Sequence, residues 1–98
     1  MIVLEARKIS QQYASRKNIA KIFDYKDPTK LLRGFRDLVD NNPSMFHPYK
    51  PYIKNNGLDT LYSIICFAYF FEFKDLLEAG TRSISFKKEL PRLKEIYG

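Results

Sequence analysis

Asn56–Gly80 reads NGLDTLYSIICFAYFFEFKDLLEAG, and from Leu58 to Phe73 it is almost unbroken apolar and aromatic sequence. Two structures fit such a run. Ile64, Ile65, Phe67, Tyr69, Phe70, Phe71 and Phe73 suit a pair of strands, but no turn signal interrupts Leu58–Leu77, which favours one helix. Asn56-Gly57-Leu58-Asp59 has the form of a helix start, with Asn56 capping and Asp59 reaching back to it. Gly80 is the expected stop. The polar side of this helix is reduced to Thr60 and Ser63, and a helix apolar nearly all round is normally the buried centre of a bundle. Its sixteen most hydrophobic residues carry Asp59 and Glu72 near the ends and fall short of the ~20 needed to cross a bilayer.

Three further helices are expected around it. Ile2–Phe23 lacks Pro and Gly and places Ile2, Ala6, Ile9, Tyr13, Ala20 and Phe23 at mostly helical spacing, with Arg16 where an apolar residue is due. Either Arg16 snorkels to the edge of the core, or the helix breaks around Ser15–Asn18. Asp27-Pro28 starts the next helix, Asp capping and Pro occupying the first turn. That helix sets Leu31, Leu32, Phe35, Leu38 and Val39 on one face and ends at Asn42-Pro43. Asn41–Asn56 carries Pro43, Pro48 and Pro51 and reads as a loop with at most one helical turn. After Gly80, Ile84, Phe86, Leu90, Leu93, Ile96 and Tyr97 give a last helix, which Pro91 either kinks or begins. The expected architecture is a single all-α domain over residues 1–98, a small bundle of about four helices around the apolar one.

Composition narrows the function. The chain has 98 residues, one His and one Cys, thin material for acid–base, nucleophilic or metal chemistry. Cys66 is alone, so no internal disulfide forms, and within Leu61–Phe71 it reads as a small buried hydrophobe. His47, between Phe46 and Pro48, has no second His or nearby carboxylate in sequence. Gly34, Gly57, Gly80 and Gly98 are too far apart for a phosphate loop. Asp37 with Asp40, and Glu72 with Asp75, read as solubilising pairs. The first residues, MIVLEARKIS, do not have the form of a signal peptide. The expectation is a cytoplasmic protein without enzymatic activity, cofactor, metal, membrane segment or small-molecule substrate.

Charge points to a partner. Seventeen Lys and Arg against eleven Asp and Glu give +6, and the excess is local. Met1–Arg36 holds nine basic and three acidic residues, Asp37–Asn56 is neutral, Gly57–Gly80 is acidic and Thr81–Gly98 is again basic. On a continuous first helix Arg7, Ser10, Ala14, Lys17 and Lys21 share a face, spanning about 21 Å at 1.5 Å per residue. Lys26, Lys30 and Arg33 follow, and Lys88 and Arg92 stand four apart near the C-terminus. A solvated face is the ordinary meaning of such residues. The lack of opposing charge, with only Glu5 acidic before Asp24, favours a surface for the backbone of RNA or single-stranded DNA. The nucleic-acid-binding candidates are thus Arg7, Lys17, Lys21, Lys26, Lys30, Arg33, Lys88 and Arg92. Tyr49 and Tyr52, interleaved with Lys50 and Lys54, could stack on bases, but the preferred role is to pin their loop to the core.

Ile53-Lys54-Asn55-Asn56-Gly57-Leu58, followed by the apolar run, resembles the helical small subunit of type III CRISPR effector complexes, whose members carry Ile and then Asn-Gly-Leu at the start of an apolar helix. Leu4-Glu5-Ala6-Arg7 with Tyr13-Ala14 is similar to their N-terminal helix. Thr60-Leu61 and Pro51 are each displaced by one residue from the family pattern, and the chain is shorter than the usual member. The resemblance implies a non-enzymatic RNA-binding subunit of an antiviral defence ribonucleoprotein, packing against other protein subunits, copies of itself among them. A different reading of the same basic face is a small phage- or plasmid-encoded inhibitor or adaptor that binds an acidic protein surface.

Overall fold

In a computed structural model, which describes residues 13–47, 49–54, 60–80 and 84–97, the described part of the apolar stretch passes through a strand before it turns helical. Strand β1 is Tyr13–Ala14, helix α1 Arg16–Ile22, helix α2 Thr29–Asn41, strand β2 Tyr52–Ile53, strand β3 Leu61–Ser63, helix α3 Ile64–Glu78 and helix α4 Phe86–Tyr97. The protein is mostly helical, but the expected all-α architecture is corrected by a three-stranded antiparallel sheet in the order β1-β3-β2. Tyr13 pairs with Ser63 and Ala14 with Tyr62 on one edge of β3, and Tyr52 with Tyr62 and Ile53 with Leu61 on the other. Strands of two and three residues are too short for an alternating pattern to show in the sequence.

The start of α3 is likewise moved. Ser63 closes β3 with an extended backbone (φ −65°, ψ 123°) and its hydroxyl accepts from the Cys66 N–H at 3.3 Å, capping the helix. The Asn56–Asp59 start expected from sequence is therefore not the start of this helix; residues 55–59 lie outside the described residues. Every residue from Tyr62 to Phe70 is buried. Beyond Phe73, whose backbone leaves helical geometry (φ −110°, ψ 18°), α3 exposes Asp75, Leu76 and Glu78. It ends as expected at Gly80, which takes φ +76° and donates its N–H to the Leu77 carbonyl at 3.1 Å.

The long N-terminal helix is also corrected. Ala14 is extended, and Ser15 caps α1 through a 3.4 Å bond from the Asn18 N–H, so the helix begins at the break offered as the second reading. Residues 1–12 lie outside the described residues. Helix α2 agrees with expectation: Leu32, Phe35 and Val39 are buried, and Leu31 and Leu38 pack beside them. Helix α4 runs through Pro91 from Phe86 to Tyr97, burying Phe86 and Leu93.

One apolar cluster draws on all four helices and on β1 and β3. Phe35 lies within 5.5–6.3 Å, centroid to centroid, of Phe46, Tyr62, Phe67 and Phe70. Phe46, from the turn after α2, meets Phe86 at 4.9 Å and Tyr69 at 5.8 Å, which ties that turn to α3 and α4. Tilted and edge-to-face pairs of this kind add roughly 0.5–1.5 kcal/mol each beyond the area they bury.

Two substitutions on neighbouring residues of α2 are expected to act in opposite directions. Phe35→Ala should lower the unfolding free energy by about 3–5 kcal/mol in urea titration, because Phe35 is fully buried among those four rings. Gly34→Ala should raise it by about 0.5–1 kcal/mol, since a Cβ there would meet the Phe70 ring at 3.6 Å, an ordinary contact.

Candidate nucleic-acid interface

Helix α1 is held to the core by one fully buried residue, Ile19, and leaves Arg16, Lys17, Asn18 and Lys21 exposed. The chain then reverses through a Schellman turn. The Tyr25 N–H donates to the Ala20 carbonyl (2.9 Å) and the Asp24 N–H to the Lys21 carbonyl (3.4 Å). Asp24 takes the left-handed position, φ +51°, that Gly usually fills; Asp is among the residues that tolerate it. Phe23 anchors the turn, its ring 5.0 Å from Phe67, 5.5 Å from Phe71 and 5.4 Å from Tyr97.

The return segment places Lys26, Asp27 and Pro28 opposite α1. Asp27 Oδ1 accepts from the Thr29 hydroxyl (2.6 Å) and the Thr29 N–H (3.1 Å). These two bonds, helped by the positive charge of Arg16, hold its carboxyl below the usual carboxylate range. Asp27 thus caps α2 as expected, although Pro28 holds the N-cap position one residue later than the sequence suggested. Arg16 Nη1 donates to the Thr29 hydroxyl at 3.3 Å and joins α1 to the start of α2.

Between α1 and the return segment lies a surface groove of about 500 Å³, walled by Arg16, Lys17, Lys21 and Lys26 over Ala20 and Pro28. Asp27 is its one carboxylate. None of the four cations has an ion pair among the described residues. Lys30 stands in the first turn of α2, which carries no acidic residue, so the capping Asp27 is the one carboxylate at that helix end. Basic groups at a helix N-terminus oppose the macrodipole rather than complement it. An anion seated in the groove would relieve the mutual repulsion of its cations.

The other expected residues divide into those near this groove and those elsewhere. Lys17, Lys21 and Lys26 line it. Lys30 and Arg33 are exposed on the following helix, on an outward face that also carries Asp37 and Asp40 further along. Arg7 lies outside the described residues, and Ala14, expected on the same basic face, is instead buried in β1. Lys88 is exposed on α4. Arg92 is held by two carboxylates: Nη2 is 2.7 Å from Glu89 Oε1 and 3.0 Å from Glu72 Oε2, clasping α4 to α3. Tyr49 and Tyr52 do pack on the core, Tyr49 5.6 Å from Phe86 and Tyr52 donating its hydroxyl to Asp40 Oδ1 at 2.7 Å.

Two residues at or beside the groove, Arg16 and Tyr25, are not among the binding candidates that the sequence offers. In sequence Arg16 interrupts an apolar stripe, and the Ser just before it, a good cap, is the signal that marks it as the first residue of a new helix. Tyr25 is 43% exposed and joins the two groove lysines in the chain.

No group of three or more His, Cys, Asp and Glu side chains among the described residues could hold a metal ion, and no helix among them is long and apolar enough to cross a membrane. His47 is exposed on the turn after α2. Cys66 is fully buried, and burial pushes its thiol up to about 12. The thiolate is the reactive species, so at pH 8 Cys66 should resist a thiol-specific reagent in the native protein and react stoichiometrically once denatured. Rapid native labelling would show a different environment.

Comparison with known proteins adds no relative to this geometry: no protein-family model matches the chain, and no curated protein or solved structure is significantly similar to it.

Proposed function

We propose that this chain is a non-catalytic subunit that binds nucleic-acid backbone through the groove between α1 and the start of α2, and does so within a larger ribonucleoprotein. The observation that carries the reading is the gathering of Arg16, Lys17, Lys21 and Lys26 around one groove, with a single carboxylate between them. That carboxylate already accepts two hydrogen bonds from Thr29. Phosphates recognise such a surface by charge, with little regard for sequence. Lys30 and Arg33 extend the track along α2. Lys88 would contribute from α4, whereas Arg92 would have to leave Glu72 and Glu89 to do so.

The narrower assignment, the small helical subunit of a type III CRISPR effector complex, rests on the resemblance of residues 53–58 and their apolar sequel. A helical chain with a basic groove suits such a subunit. The sheet, and the start of α3 at Ile64 rather than near Gly57, depart from what the resemblance implies. Under this reading α3 is the apolar centre of the bundle, the charges lie on elements around it, and catalysis belongs to other subunits.

Binding of labelled RNA and DNA, titrated over several salt concentrations, tests the proposal. Four to six phosphate contacts on a single strand should give a slope of log affinity against log salt of roughly −3 to −4. Changing the base sequence should have little effect. The Lys17→Glu, Lys21→Glu double variant should lose at least tenfold at low salt, with folding confirmed by circular dichroism. No binding near 50 mM salt, or no loss in the variant, overturns the reading. Equal binding of polyglutamate would favour an acidic protein partner instead.

A further inference from the structure

Resting on that backbone-binding reading, we propose that the groove prefers unpaired over duplex nucleic acid, one base stacking on Tyr25 while Lys21 and Lys26 hold the neighbouring phosphates. Among the described residues Tyr25 is the most exposed of the Phe and Tyr side chains, 43% open to solvent. The 2.9 Å bond from its N–H to the Ala20 carbonyl fixes its backbone against a residue of the groove floor.

The ring also has support behind it. It meets Phe71 nearly at right angles, centroids 6.0 Å apart, and Phe71 stacks on Phe67 at 5.9 Å with an interplanar angle of 22°. Tyr25 is therefore braced against the core while much of its surface stays open. A stacking platform needs both properties, since a mobile ring would lose entropy on binding and a buried ring would offer no face. Duplexes keep their bases stacked on one another, so only an unpaired strand can lay a base on a protein ring. Lys21 and Lys26 line the groove and stand four residues before and one after Tyr25 in the chain, and an aromatic ring combined with nearby basic groups is how single strands are held with little sequence preference. Tyr49 and Tyr52, the aromatic candidates the sequence offered, are half-buried and engaged with Phe86 and Asp40.

The test compares a single-stranded oligonucleotide with a duplex of equal length, both at low salt, using the full chain. Wild type should bind the single strand more tightly. Tyr25→Ala should weaken single-strand binding by about 5- to 150-fold, the usual range for losing one stacked base, and leave duplex binding unchanged. Tyr25→Trp should keep the affinity. The natural chain contains no tryptophan, so the emission of that variant reports on the site alone and should be quenched by the single strand but not by the duplex. Equal affinities for both forms, with Tyr25→Ala silent and the salt slope retained, would overturn stacking and leave backbone binding standing. Equal losses for both forms in Tyr25→Ala would also overturn it, marking Tyr25 as a structural residue. Binding of neither form would remove the stacking proposal together with the reading it rests on.

Discussion

Burial of Tyr62–Phe70 without a break is the condition to which the rest of the molecule answers. Seven of these nine residues are helical, and two turns of helix with no exposed face need neighbours on every side. A chain of 98 residues buries only roughly two-thirds of its unfolded surface, so few elements remain to supply those neighbours. Phe35 comes from α2, Phe46 from the turn after it, Phe86 from α4 and Phe23 from the end of α1. Aromatic rings suit the task because each covers a large area with few rotatable bonds.

Such a core leaves ionic groups no place inside. Among the described residues the buried side chains are apolar or aromatic except Ser63, whose hydroxyl caps α3. The cations among the described residues are thus at or near the surface, and they differ in what they meet there. Arg92 bridges two glutamates, and Arg36 donates to the Tyr62 hydroxyl. The four groove cations share one carboxylate, Asp27, which already accepts two hydrogen bonds from Thr29. The same Phe23 that closes the core also anchors the turn that brings Lys26 opposite Lys21, so packing and charge arrangement share a residue.

Much of this was legible in the sequence. Leu32, Phe35 and Val39 announce the buried face of α2 by their spacing, and Gly80 announces the end of α3 because a left-handed backbone favours glycine. The N-terminal half was less legible. A period of three and four over Ile2–Phe23 is satisfied equally by one helix and by a strand followed by a short helix, because two strand residues impose no pattern of their own. The start of α3 misled for a related reason: Asn56-Asp59 and Ser63 are both sound caps, and sheet pairing on either side of Tyr62, a tertiary effect, favours extended backbone up to the second. For the site, the lysines were visible as charge. The groove was not, since it depends on a reversal at Asp24 that carries no Gly or Pro to mark it.

Ser63 is at once the last residue of β3 and the cap of α3, with nothing between strand and helix. This junction has no tolerance for a change in chain length. One residue added between Tyr62 and Ile64 would either shift β3 by one place, turning Tyr62 to the opposite face of the sheet, or rotate α3 by about 100° against its aromatic neighbours. Loops elsewhere absorb insertions at small cost. Variation in the length of related chains should therefore collect in the turns and loops and leave the joint at Ser63 untouched.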